Sequence, residues 1–187
     1  MKNKTSDLII QMISVTVGVF LGFAISNWSE SRKESAKYDT LIENLTSEIK
    51  TNQAKIEQVI DYHRMVRDST RYFLNRKEPA PWKPTFFKGV NTLSLVNSAY
   101  QTGIQTGLLN SMDLETYQAI NEVYTKQRAY EEFANLLLSG LITMDFENNE
   151  ASIRKIATFL SISMTDVVIK EEQLLESMGK SLELVEK

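Results

Sequence analysis

Between Leu8 and Ile25 the chain reads LIIQMISVTVGVFLGFAI, 18 residues without a charge. Wound as a helix, that run reaches about 27 Å, close to the hydrocarbon thickness of a bilayer. Asp7 precedes it, and Glu30, Arg32 and Lys33 follow. The bracketing predicts a transmembrane helix over residues 8–28, behind a short tail at 1–7. Trp28, Arg32 and Lys33 serve as membrane-interface anchors, an indole for the headgroup layer and two cations as a charged stop. A cleaved signal peptide over residues 1–26 is the rival reading. Lys2 and Lys4 give it an n-region, and Ala24-Ile25-Ser26 gives it a small-x-small site. Asp7, the length of the run and Trp28 argue for the anchor. Positive charges nearly balance across the run, and the expected arrangement has a short cytoplasmic N-terminus with the bulk of the chain on the far side.

Inside the run, Ser14, Gly18, Gly22 and Ser26 recur every fourth residue. Four small side chains on one face let a second helix approach closely, so they are the candidate packing surface within the membrane. Gln11 and Thr16 are candidate intramembrane polar residues, better placed against a partner helix than against lipid. The expected partners are the lipid bilayer and either a second copy or a larger membrane protein. A small oligomeric pore lined by Gln11 and Thr16 is an alternative.

From Trp28 to Asn75 there is neither glycine nor proline. Apolar residues recur at steps built from three and four through Tyr38, Leu41, Leu45, Ile49, Ile56, Val59, Val66 and Phe73. Asn52, His63 and Thr70 fill the intervening positions. This heptad pattern predicts a long helix over 29–75 that continues the membrane helix. His63 on that seam reads as a partnered core residue rather than a ligand. Asn52 fits equally a register pin in a self-associating coil and a polar residue tolerated in a bundle. Three prolines within 78–84 stop the helix, with Trp82, Phe86 and Phe87 closing the core end. Periodicity then predicts helices at about 91–102 (Leu93, Val96 and Tyr100 inward), 114–139 and 151–185, with Asp113 capping the third. The expected fold is all-α. It joins an N-terminal transmembrane helix and long helix to an antiparallel bundle of about four helices within residues 29–187.

Catalytic signatures are missing from the sequence: no phosphate-binding glycine loop, no HExxH, no GxSxG, one histidine and no cysteine. Glu131-Glu132 and Glu171-Glu172 lack the histidines of a di-metal carboxylate bundle and read as solvated faces. A net charge of −3 argues against nucleic acid. No enzyme activity, metal site or cofactor is expected.

The stretch Gly22-Phe23-Ala24-Ile25-Ser26-Asn27-Trp28-Ser29-Glu30, followed by Ser31-Arg32-Lys33, resembles the start of a group of uncharacterised bacterial single-pass membrane proteins. In that family the hydrophobic helix closes in an Asn-Trp-Asn-Glu-like motif. Residues Ser98 to Gly103, Leu108 to Asn110, Asp113-Leu114 and Tyr124 are similar to its midsection. Ser29 stands where the family often has asparagine, and the glycine of the turn is doubled as Gly103 and Gly107. The likeness covers roughly residues 8–130 and implies a membrane-anchored helical domain, without an activity. The functional expectation is a membrane-anchored helical scaffold or accessory subunit in a bacterial inner membrane, its bulk periplasmic. An extracytoplasmic ligand-sensing bundle is the alternative.

Overall fold

The computed structural model describes residues 4–76, 87–147 and 149–186, with side chains from residue 11 onward. All regular structure among them is helical: α1 (Lys4–Leu74), α2 (Ser98–Thr106), a 3-10 turn (Leu108–Ser111), α3 (Leu114–Ile142) and α4 (Glu150–Val185). Two compact units divide the chain, Met1–Ile42 and Glu43–Lys187. The proline corner at 78–84, with Trp82 and Phe86, lies outside the described residues. Phe87 is half-buried.

In the first unit, α1 begins at Lys4, four residues ahead of the apolar run. The absence of glycine and proline between Gly22 and Asn75 leaves nothing to interrupt the helix.

The second unit packs three long helices. Lys50 pairs with Glu186 at 2.7 Å, Arg64 with Glu172 at 2.8 Å, and Arg71 donates to Thr165 at 2.8 Å. As the α1 number rises the α4 number falls, so these helices run antiparallel. Lys126 reaching the carbonyl of Gln173 and Lys170 lying over the Phe133 ring set α3 antiparallel to α4 in the same way. Leu45, Ile49, Ile56 and Val66 of α1 are fully buried, as are Ile120 and Val123 of α3 and Met164, Val167, Leu174 and Met178 of α4. Each apolar side chain removed from water contributes about 1.5–3 kcal/mol, and the α1 row falls on the heptad positions read from the sequence. Two helix starts are capped locally. Asp113 accepts from Thr116 N at 3.0 Å, and Asn149 accepts from Ser152 N at 2.8 Å.

The second leg departs from the periodicity. Residues 87–97 carry no regular secondary structure where a helix is expected from 91, and α2 occupies 98–106 instead. The reason lies in competing periods. Leu93, Val96 and Tyr100 fit a helical spacing, but Leu93 and Leu95 also fit the alternation of an extended chain. The second pattern prevails: Leu95 is buried, whereas Val96 is 38% exposed. Gly89 and Asn91, at φ 94° and 49°, add backbone conformations foreign to a helix. Gly103 sits buried within α2, and Gly107, at φ 73°, ends it in the left-handed region. The bundle therefore goes up, down, up, down, with an irregular strap and a short helix as its second leg.

Candidate functional site

Two features carry candidate function, one in each unit.

In the first unit, the side chains of Met12, Val15, Phe20, Phe23 and Ile25 stand 64–71% exposed. An 18-residue window here has a mean hydropathy of 1.5, and none of it is buried. This part of α1 is long and apolar enough to cross a membrane. Ser14, Gly18, Gly22 and Ser26 are all exposed, and a Cβ built on Gly18 or Gly22 meets nothing within 4 Å. Gln11 is exposed as well. The Thr16 hydroxyl donates to Met12 O at 2.8 Å, so its polarity is satisfied within its own helix. Below them the Arg32 guanidinium sits 4.8 Å above the Trp28 ring, a cation–π contact one helical turn apart. Lys33 is exposed beside it.

In the second unit, a seam of polar side chains grips the strap. A segment without regular secondary structure has backbone groups to satisfy, and here side chains satisfy them from both edges. On the α1 edge, Asn52 donates to Val96 O at 2.6 Å and accepts from Val96 N at 2.9 Å, while Lys55 donates to Ser94 O at 3.4 Å. On the α3 edge, the Tyr130 hydroxyl accepts from Leu93 N at 3.2 Å, and Glu131 accepts from Leu95 N at 2.9 Å. Gln127 also donates to Val96 O and accepts from Asn52. Nearer the strap's start, Tyr62 accepts from Lys88 N and donates to Gly89 O at 2.6 Å.

At the strap's far end Glu48 replaces a local cap for α2. Asn97 occupies the N-cap position but makes no capping bond with its side chain. The Glu48 carboxylate accepts instead from Ala99 N at 2.9 Å, Tyr100 N at 3.4 Å and the Ser98 hydroxyl at 3.0 Å. A negative charge at a helix start also complements the helix dipole. The Tyr124 hydroxyl adds a fourth donor at 2.6 Å, and its ring stacks on Tyr100 with centroids 4.0 Å apart.

His63 and Glu171 form the deepest part of the seam. Both side chains are wholly buried, with Nδ1 2.8 Å from Oε1. His63 Nε2 lies 2.8 Å from Val90 O, which can only accept, so Nε2 carries a proton. Tyr130, having accepted from Leu93 N, donates to Glu171 Oε1 at 3.3 Å. Glu171 Oε2 is buried without a partner among the described residues. Burial, then the neighbouring carboxylates, pushes the Tyr124 and Tyr130 phenols far above the ordinary value.

The structure thus places His63 as the core residue expected, and sets Asn52 inside its own bundle. Glu171 corrects the solvated reading of its acidic pair: it points into the core between Val167 and Leu174, while its neighbour Glu172 faces solvent. Glu131 is half-buried against the strap, and Glu132 is exposed. Sequence reasoning missed Glu48, Gln127, Tyr130 and Glu171. A signal was present, because Gln127 and Tyr130 lie at helical spacing between the apolar Tyr124 and Ala134, and Glu171 between Val167 and Leu174.

Chemically, this seam binds a peptide backbone through neutral and charged hydrogen bonds. Among the described residues no group of histidine, aspartate and glutamate side chains is placed to hold a metal ion. No family model matches the chain, and comparison with curated proteins and with solved structures gives no match.

Proposed function

We propose that this chain is a non-enzymatic, membrane-tethered helical scaffold or accessory subunit that associates through its N-terminal helix. The observation that carries the reading is the apolar stretch from Gln11 to Trp28, all of it exposed. An apolar surface of this length is unfavourable in water and favourable in lipid. The contact between Arg32 and Trp28 supports an interfacial position for the end of the span. The resemblance of the Asn27-Trp28-Ser29-Glu30 segment to bacterial single-pass proteins agrees with a bacterial inner membrane.

Ser14, Gly18, Gly22 and Ser26 are the contact face in this reading. Because nothing lies near the added Cβ of Gly18 or Gly22, larger side chains there leave the chain's own packing untouched. The pair of substitutions Gly18→Ile and Gly22→Ile is expected to lower cross-linking in the bilayer several-fold while leaving membrane extraction unchanged. Unaltered cross-linking would refute the contact face. Release of the unmodified chain from membranes by alkaline carbonate would refute the tether.

A further inference from the structure

The helical neighbours of Arg32 offer its charge no carboxylate. Positions three and four residues away hold Trp28, Ser29, Ser35 and Ala36. Glu30 and Glu34 stand two residues to either side, and so on the far face of the helix. We infer that Ser29, Arg32 and Lys33 bind the phosphate of an anionic phospholipid, whose glycerol and upper acyl chain lie along Ile25 and Trp28. The site deepens the tether proposed above and rests on it.

Ile25, Trp28, Ser29, Arg32, Lys33 and Ala36 line one shallow concavity on α1. Their spacing is that of a single helix side, so one ligand can touch all of them. The two ends of this face differ in chemistry. Ile25 and Trp28 are exposed apolar side chains at the close of the uncharged run, and the cations follow. Arg32 starts about 10 Å further along the axis than Ile25. Helix side chains lean towards the N-terminus, and its guanidinium reaches back to sit 4.8 Å above the Trp28 ring. That lean carries the charge towards the headgroup layer, which extends about 5–8 Å beyond the hydrocarbon. A phospholipid has the same order along the membrane normal: acyl chain, glycerol, then phosphate.

Unmatched charge decides the class of lipid. Neither Arg32 nor Lys33 forms an ion pair among the described residues. In the second unit, by contrast, Lys50, Arg64, Arg67 and Lys126 each pair with a carboxylate. A guanidinium and an ammonium side by side form charge-assisted bonds to a phosphate, and the Ser29 hydroxyl adds a neutral donor. A zwitterionic headgroup would bring its own ammonium against these two cations. A headgroup with net negative charge brings none. Each cation near the membrane surface favours anionic lipid by about fivefold.

The test reads Trp28 in the full-length chain, with W82F leaving it the one indole. The protein is reconstituted into phosphatidylcholine vesicles that hold a minor fraction of a lipid brominated on its acyl chains. Brominated phosphatidylglycerol is expected to quench Trp28 several-fold more than an equal mole fraction of brominated phosphatidylcholine. R32Q/K33Q is expected to abolish the difference. The charge-conserving variant S31R/R32S turns the guanidinium about 100° around the helix and is expected to lose most of it. Full retention of the preference in S31R/R32S would reduce it to diffuse surface attraction and overturn the site, as would equal quenching by the two lipids. Loss of the preference in inorganic phosphate, but not in chloride of equal ionic strength, would overturn the lipid as occupant in favour of a free anion. No quenching by either lipid would put Trp28 outside the bilayer and refute the tether itself, so the two failures are distinguishable.

Discussion

Asn52 shows how much of the fold can rest on one side chain. Its amide satisfies both backbone groups of Val96 and meets Gln127. Asn52→Ala is expected to cost about 2–3 kcal/mol, read by denaturant unfolding in detergent, because the stranded groups keep their desolvation penalty. The His63–Glu171 pair follows a different rule. Glu171→Ala leaves the imidazole facing a void and is expected to cost roughly 3–5 kcal/mol, whereas the double change H63L/E171L should lose less than the sum of its parts. A strictly additive cycle would show that the two side chains act independently. Tyr124 and Tyr130 set a pH limit. Their phenols are raised above the ordinary 10.0 of an unfolded tyrosine by burial and by Glu48 and Glu171. The stability they confer is fully present below pH 10 and falls as pH rises above it, because the unfolded chain then releases protons that the fold retains. Ultraviolet titration should show these two phenols ionising only as the bundle unfolds.

Among the elements, α2 and the strap depend most on their surroundings. Glu48→Ala is expected to destabilise by about 2 kcal/mol and to fray α2, while Asn97→Ala, at a cap position that makes no capping bond, stays within about 0.5 kcal/mol. Equal effects at the two positions would refute capping by Glu48. Glycines in the long helices divide by neighbour. A Cβ at Gly140 would come within 2.9 Å of the Phe159 ring, and one at Gly179 meets nothing. Gly179→Ala should therefore stabilise by about 0.5–1 kcal/mol, and Gly140→Ala should destabilise. The long helices were legible because Leu45, Ile49, Ile56 and their counterparts in α3 and α4 repeat at the spacing of a buried face. The strap was not. Its fate hangs on Asn52, Tyr130 and Glu131, which lie 44, 37 and 36 residues away from the groups they hold. Local periodicity at Leu93 and Val96 contains no trace of them. Glu171 was hidden for a similar reason, since a carboxylate is read as solvated until a histidine 108 residues distant is placed beside it.

For the molecule as a whole, the division at Ile42 and Glu43 separates an uncovered apolar helix from a unit with its own core. A chain consisting of residues 43–187 is expected to remain soluble without detergent and to unfold in one cooperative step by circular dichroism. Aggregation of that fragment would show that its core is incomplete.

The trans-acting carboxylate at the start of α2 also orders the events of folding. Nine residues are too few to sustain a helix in water, and this helix carries no starting signal of its own. It acquires one when α1 delivers Glu48, with the Tyr124 phenol of α3 joining the same carboxylate. Hydrogen exchange at the Ala99 amide thus becomes a clock hand for assembly: protection there arrives only after distant parts of the chain have met.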